Sequence, residues 1–570
     1  MRALSSVSNF YLSSVLWVAS VVFVSLGQSA HVAPFSVIAA MLGYACFWSV
    51  LFRLTHRLKE RFWVAVIWFA VIQAVQLSWL VSSEYMGPLI WVVYVCLIGV
   101  LGIQFGFLIL LFPRKSLRDL SFLQCLAISG CWVLLEWMRL WFFTGFTWNP
   151  VGLSLADSSY AIQWASVVGV YGLSFWVIFV NILSLYGLGS SRRFVLWIFC
   201  VIFPYLFGLG QQNWVERNVS VEKELKVALV QTAILPEQKD FFLDRRESFI
   251  PFLDQWVRIW EELEGKSKVD LIVFPEAVVG AGADRPIYSA KMVKRVWENF
   301  FGFGASSNLP RLEAPFAVQK IEGSSLEWYV SNAYIVQAMA NRFGAECIVG
   351  FETEEKRKHY NAAFHFLPQG HATQRYAKRV LVPIGEYIPL SGVSWISQFL
   401  LSQFGVADSF SVGEGVELYR ALGDIPVGVS ICLEETYSHL VRDLRVLGAR
   451  LLVNVTNDVW FPRSKLPNQH FQHGRIRAAE HGVYVLRSCN TGITGAIDCC
   501  GRVIAVLPPS EDRIGVLTLS LGVRSFQTLY TWWGDQLILS CSVLFLLLYC
   551  VTRFLFLKVW IDRFSFRGRL

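Results

Sequence analysis

Residues 425–435 read IPVGVSICLEE, an apolar run that ends abruptly in Cys432, Leu433, Glu434 and Glu435. A short run of this kind bounded by turn residues reads as a buried strand, and an amphipathic helical pattern follows it at 436–448. Comparable runs lie on both sides: LKVALVQ (225–231), DLIVFPE (270–276), ECIVGF (346–351), RLLVNVTND (450–458) and VYVLRSCNTG (483–492). A second helical pattern covers 469–481. Strands alternating with helices predict a layered α/β fold. Three of the runs end in polar, reactive residues, and α/β sheets place their chemistry at the carboxyl ends of strands.

This α/β sequence is set inside a very different chain. Of 570 residues, 55% are hydrophobic and only 16% are charged, against about 25% charged in an ordinary soluble domain. That excludes a purely soluble enzyme, a disordered chain and a nucleic-acid binder built on basic patches. Spanning a bilayer takes about 20 apolar residues. Seven such stretches precede residue 212 (10–27, 34–52, 62–82, 88–112, 121–143, 162–188 and 193–210), and an eighth lies at 536–557. The expected organisation is a seven-helix membrane domain (1–210), an inserted α/β domain (211–534), and an eighth helix with a basic tail (535–570).

Lys and Arg mark the cytoplasmic loops of membrane proteins. Arg53, Arg57, Lys59 and Arg61 follow the second span, and Arg114, Lys115 and Arg118 follow the fourth. Arg192 and Arg193 precede the seventh, whereas the loops GQSAHVAP (27–34) and SSEYMG (82–87) carry neither residue. The alternation puts both termini in the cytoplasm and residues 211–534 on the far side, with the first span a retained anchor.

Seven of the twelve cysteines lie in apolar stretches, where a thiol behaves as a small hydrophobe. No CxxC or HExxH occurs, so neither a metal nor a disulfide framework is expected, and no cofactor. His470, His473 and His481 share one helical pattern and read as packing or polar surface rather than ligands.

Three residues stand out chemically. Glu276 closes LIVFPE, where a strand end holds a carboxylate partly desolvated and suited to act as a base. Cys432 sits at a strand-to-helix junction, where a helix N-terminus would favour the thiolate. Lys378 lies among apolar residues in RYAKRVLVPIGEYIPL, with Glu386 eight positions later, and a partly buried ammonium can stabilise an oxyanion. Singly, each has a plainer reading, as a surface carboxylate, a core cysteine or a surface lysine. Together, in this order, they are far more specific.

The combination resembles the nitrilase superfamily over roughly 225–520, which implies an αββα sandwich and a Glu-Lys-Cys triad. With the spans arranged seven plus one, the whole chain resembles the apolipoprotein N-acyltransferase family of bacterial inner membranes. The segments EWMRLWFFTGFTWNP, KRVLVPIGEYIPL, ICLEE, NDVWF (457–461), QHFQHGRIRAAEHG (469–482) and RSCNTGITGAID (487–498) carry that resemblance. It implies transfer of an acyl chain from a phospholipid to the α-amino group of a diacylglyceryl-cysteine, the last step of lipoprotein maturation. By position Cys432 is then the nucleophile, Glu276 the base and Lys378 the oxyanion stabiliser, aided by the N–H of Leu433. Glu386 matches the glutamate that holds the lysine, Glu434 the acidic residue past the nucleophile, and Asn457, Asp458 and Trp460 a loop lining the site.

Further expectations concern the lipid. Glu136 and Arg139 lie three apart on one helical face. They form either a structural intramembrane pair or a site where Arg139 meets a lipid phosphate. SWISQFLLSQFG (394–405), with Trp395, is unusually apolar and reads as a mobile arm dipping toward the bilayer. The stretch 280–345 looks long for the family. The expected partners are a phospholipid donor and a diacylated apolipoprotein acceptor, with the enzyme a monomer. The alternatives are a membrane-anchored amidase that hydrolyses a small amide, and a transporter or sensor carrying an inactive enzyme-like domain. All three triad residues are present, which argues against the inactive form.

Overall fold

The computed structural model describes residues 2–28, 31–114, 116–142, 145–239, 249–266, 268–370, 374–395, 398, 409–423 and 425–567. The chain divides into two compact units. One comprises Met1–Ser83, Pro88–Glu216 and Thr528–Leu570, the other Glu84–Gly87 and Arg217–Gln527. Most of the expected arm 394–405 falls outside the described residues, although Trp395 lies within them and is exposed.

The first unit is helical. Among the described residues, six helices are long and apolar enough to cross a membrane: Pro34–Leu54, Ile90–Leu111, Phe122–Trp141, Ala161–Gly187, Ser191–Asn218 and Gln536–Leu555. The expected spans 10–27 and 62–82 fall on helices Arg2–Leu26 and Leu58–Gln76. The apolar part of the first is the shorter Tyr11–Leu26, and the second opens with Lys59, Glu60 and Arg61.

Backbone groups inside a bilayer need protein partners, and Asn181 supplies them where the ladder is broken. Its Oδ1 accepts from the amides of Tyr44 and Ala45 at 3.0 and 3.1 Å, and its Nδ2 donates to Ala40 O at 2.8 Å. These groups border the π-helical turn Ala39–Gly43. Glu136 and Arg139 are both buried, on separate partners. Glu136 Oε1 accepts from Trp132 Nε1 (2.9 Å) and from the amide of Val151 (2.8 Å). Arg139 Nε donates to Gln104 Oε1 at 2.9 Å, and its guanidinium lies 5.2 Å from the centre of the Trp132 ring.

The second unit is an αββα sandwich. Its first half holds β1 (Lys223–Gln231), β2 (Leu271–Val273), β3 (Tyr288–Ser289), β4 (Ala317–Glu322), β5 (Ser325–Val330), β6 (Glu346–Glu355), β7 (Lys358–Phe366) and β8 (Gln374–Ala377). The second holds β9 (Leu418–Ala421), β10 (Ile425–Ile431), β11 (Leu451–Thr456), β12 (Tyr484–Cys489), β13 (Thr494–Ile497), β14 (Val503–Leu507) and β15 (Gly515–Val523).

Two six-stranded sheets form, in the orders β15-β1-β2-β6-β7-β8 and β14-β13-β12-β11-β10-β9. Each has a parallel centre (β1-β2-β6; β10-β11-β12) and antiparallel flanks. The sheets face one another, with Ser488 Oγ of β12 bonded to Val230 O of β1 and Tyr419 OH of β9 to Ala363 O of β7. Helices Phe252–Leu263 and Asn332–Phe343 cover the first sheet through Trp256, Trp260 and Met339. Ser438–Val446 and Leu466–His481, close to the expected helices, cover the second through Leu444, Phe471 and Ala478.

The long stretch 280–345 contributes helix Ala290–Phe301 and a separate sheet, β3-β5-β4. Asn332 ties it down. Its Oδ1 accepts from Trp256 Nε1 and Tyr288 OH, both at 2.7 Å, and its Nδ2 donates to Gly282 O at 2.6 Å.

One glycine fixes how β2 delivers Glu276. The amide of Gly350, in β6, donates to Pro275 O at 3.1 Å. A Cβ there would lie 2.5 Å from the Cα of Glu276 and 2.7 Å from Pro275 O. Both obstructing atoms are backbone, so the strand end itself would have to move. We expect Gly350→Ala to cost about 1–3 kcal/mol and to depress activity. Gly304→Ala, where a Cβ meets open space, should do neither. Thermal unfolding of the two variants checks this.

Candidate active site

The site forms where β2, β8, β10 and β11 end. Past β2, Glu276 is followed by Ala277 at φ +45°, and Ala277 O accepts from the ammonium of Lys239. Past β8 comes Lys378, whose amide donates to Asn361 O of β7 at 2.8 Å. Past β10 comes Cys432, at φ +52°. Non-glycine residues held at positive φ cost energy and gather at functional sites, and here two of them flank the same chemistry.

Lys378 is the centre of this arrangement. It is only 1% exposed, and its Nζ donates to Glu276 Oε1 at 3.0 Å and Glu386 Oε1 at 2.8 Å. Asn361 Nδ2 spans the same two oxygens, at 2.6 and 2.8 Å. The other oxygen of Glu386 accepts from the amide of Val382 at 2.8 Å. Burial lowers the pKa of Lys378, but the carboxylates of Glu276 and Glu386 outweigh it and carry its pKa well above the usual lysine value.

The Cys432 thiol lies within the field of the same groups. Burial pushes its pKa up and the charge of Glu276 pushes it further, while Lys378 and the Thr456 hydroxyl favour the thiolate. No long helix starts behind it. The chain makes a single 3₁₀ turn over Cys432–Thr436, and Tyr437 is extended before helix Ser438–Val446 begins. The expected helix dipole is therefore displaced from the thiol, and the charge of Lys378 favours the thiolate in its place.

Glu434 has a structural task. Buried, it accepts the amides of Ile431 (2.8 Å), Arg379 (2.6 Å) and Val380 (3.2 Å), and the hydroxyl of Tyr376 (2.9 and 3.0 Å). It thereby sets the spacing between the segment bearing Lys378 and the strand end bearing Cys432. Burial raises its pKa, which these donors offset in part.

The expected lining loop divides. Asn457 Oδ1 accepts from Asn490 Nδ2 at 3.0 Å, and Trp460 is exposed, its ring edge-on to Tyr85 at 5.8 Å. Asp458 instead points inward. Its Oδ1 lies 2.8 Å from His470 Nδ1, and its Oδ2 is 3.2 Å from Arg487 Nη2 and 3.6 Å from Cys489 Sγ. Burial would raise its pKa, but His470 and Arg487 hold it down at about 2. His470, His473 and His481 are buried, so the polar-surface reading fails for all three. Among the described residues no cluster of three metal-binding side chains is found.

Sequence reasoning passed over Asn361, Tyr376 and Thr456. The first had a signal, an asparagine facing inward in the apolar strand HYNAAFHF. The other two had none, since a tyrosine and a threonine are at home in any strand.

Residues 226–525 match the carbon-nitrogen hydrolase family, and residues 24–183 match the apolipoprotein N-acyltransferase N-terminal domain. An apolipoprotein N-acyltransferase of Chlamydia pneumoniae is 31% identical over 536 residues, covering 90% of this chain and 92% of that one. The chain belongs to the apolipoprotein N-acyltransferase family. A second relative of that name, from Chlamydia trachomatis serovar D, is 31% identical over 92% of this chain and 94% of its own. A third, from Methylococcus capsulatus, is 31% identical over 72% and 70%. The match over 226–525 takes in Glu276, Lys378, Glu386 and Cys432, so the bonded cluster lies within the family's carbon-nitrogen hydrolase part.

Because the folded state holds the Asp458 carboxyl at about 2, below its ordinary 3.8, its stabilising contribution is present above about pH 4 and is lost as the pH falls toward 2. We expect Asp458→Asn to lose about 2–4 kcal/mol at pH 7, with the gap to the parent protein narrowing below pH 4. Thermal melts across that range test it, and a gap independent of pH would contradict it.

Proposed function

We propose that this chain moves an acyl chain from a phospholipid to the α-amino group of a diacylglyceryl-cysteine at the N-terminus of an apolipoprotein, by way of a thioester on Cys432. The observation that carries the proposal is the buried Lys378 ammonium bonded to both Glu276 and Glu386, with the Cys432 thiol in its field, in a chain of this family.

The chemistry follows from those groups. Glu276 takes the thiol proton and the sulfur attacks the ester carbonyl. Lys378 and the N–H of Leu433 bind the tetrahedral oxygen, and losing one such donor typically costs about 2.7–4 kcal/mol. Collapse breaks the acyl–oxygen bond, and the lysophospholipid alkoxide leaves with the proton from Glu276. The neutral amine then attacks the thioester and yields its proton to Glu276, which passes it to the departing sulfur and so restores the thiol and the carboxylate. A cysteine suits this two-step transfer because it divides one difficult substitution into two easier ones.

A membrane setting is required by the donor. Burying a methylene is worth about 0.8 kcal/mol, so a chain of about 16 carbons would cost on the order of 12 kcal/mol to bring into water. An amidase would use the same triad with water as acceptor, but it has no need of six apolar helices. We extend the proposal to topology: eight spans arranged seven plus one (1–210 and 535–570), termini in the cytoplasm, and residues 211–534 on the periplasmic side of a bacterial inner membrane. The absence of Lys and Arg from 27–34 and 82–87 supports this. The enzyme would work as a monomer without a cofactor. Trp395 and Trp460, both exposed, and Asn457 would contact the substrates.

The test is mass spectrometry of the purified protein incubated with phospholipid alone. An acyl mass on the peptide containing Cys432 is expected, absent in Cys432→Ser and reduced at least 100-fold in Glu276→Gln, in line with loss of a general base. No acyl adduct from phospholipid, together with release of ammonia from a small amide, would favour the amidase.

A further inference from the structure

The carbonyl of the nucleophile's own peptide is held by two side-chain donors that the mechanism above does not use. Cys432 O accepts from Asn454 Nδ2 at 3.2 Å and lies 3.2 Å from His470 Nε2. The opposite ring nitrogen of His470 faces Asp458 Oδ1 at 2.8 Å. A peptide carbonyl can only accept, so the contact with Cys432 O uses a proton on Nε2, while Nδ1 faces the Asp458 carboxylate. Around them Asp458 and Glu435 face Arg487 and His470. Asn454 is oriented in turn, its Nδ2 on Ser430 Oγ at 3.0 Å and its Oδ1 accepting from Arg487 Nη1 at 3.5 Å.

The peptide joining Cys432 to Leu433 is planar and trans, so its C=O and N–H point in opposite directions. Anchoring the oxygen on one side aims the Leu433 N–H on the other. Donors on the oxygen also polarise the unit and strengthen that N–H as a donor, since hydrogen bonds in series reinforce one another. The anchor matters more because Cys432 is held at φ +52°, a conformation the chain would relax from if released.

We propose that His470, locked by Asp458, and Asn454 are positioning residues that aim and polarise the Leu433 N–H as an oxyanion donor. The inference rests on the acyl-transfer reading, because only a tetrahedral oxyanion uses that N–H.

The experiment compares two reactions of the same sulfur in the full-length protein: thioester formation from phospholipid, which passes through an oxyanion, and alkylation by iodoacetamide, which does not. Both are read by mass on the Cys432 peptide. His470→Asn keeps a donor near the position of Nδ1, toward Asp458, but loses the one toward Cys432 O. His470→Gln keeps a donor near the position of Nε2. We expect His470→Asn to slow acylation about 10- to 100-fold, short of the roughly 10²–10³ for outright loss of a donor, with alkylation within about 2-fold of the parent. His470→Gln should recover most of the loss. Asn454→Asp removes the other donor to the same oxygen and should show the same separation between the two reactions. Acylation and alkylation falling in parallel, acylation unaffected by either His470→Asn or Asn454→Asp, or equal losses in His470→Asn and His470→Gln would each overturn the proposal. A parent enzyme that alkylates but forms no thioester would overturn the acyl-transfer reading and this proposal with it.

Discussion

A single buried ammonium organises the candidate site. Lys378 shares its protons between Glu276 and Glu386, and each partner would be costly to bury without it. Two carboxylates around one ammonium leave an excess of negative charge, which keeps the lysine protonated. Asn361, bonded to the same two oxygens, holds them together without adding charge. Burial and the charge of Glu276 both keep the Cys432 thiol protonated, so under the proposed mechanism the sulfur attacks as Glu276 takes its proton.

The fold meets the geometric demand by repeating itself. Both sheets have three parallel central strands with antiparallel flanks, so the ends of β2, β10 and β11 can supply Glu276, Cys432 and Asp458. Glu434 then joins the segment after β8 to the end of β10, which makes the spacing of Lys378 and Cys432 a property of backbone amides rather than of flexible side chains. Behind Cys432, a second layer of polar and charged side chains (Glu435, Asp458, His470 and Arg487) fills the space between helix Leu466–His481 and the sheet. Gly474 permits it, since a Cβ there would lie 2.5 Å from Glu435 Oε1.

Much of this was legible in the sequence. The central strands are continuous apolar runs, as buried parallel strands are, so β1, β2, β6, β10, β11 and β12 could be read from composition, and the residues ending three of them stood out as chemically wasteful anywhere else. The flanking strands β7, β8, β9, β13, β14 and β15 were not read, because edge and antiparallel strands mix polar and apolar residues and lack a strong period. The inserted sheet β3-β5-β4 was hidden for the same reason. Roles that depend on long-range partners were the least legible. Asp458 belonged to an expected substrate loop and His470 to an expected packing face. Only the fold reveals that they meet 2.8 Å apart beneath the nucleophile's carbonyl.

The most direct test of the central claim is a single-turnover chase. Enzyme acylated with a labelled phospholipid, freed of donor and then given a diacylglyceryl-cysteine peptide, should pass its label from Cys432 to the peptide's α-amino group, with label lost from the sulfur as it appears on nitrogen. If the peptide is acylated only while donor phospholipid remains present, and the label on Cys432 stays where it is, the thioester does not lie on the reaction path and the account is wrong.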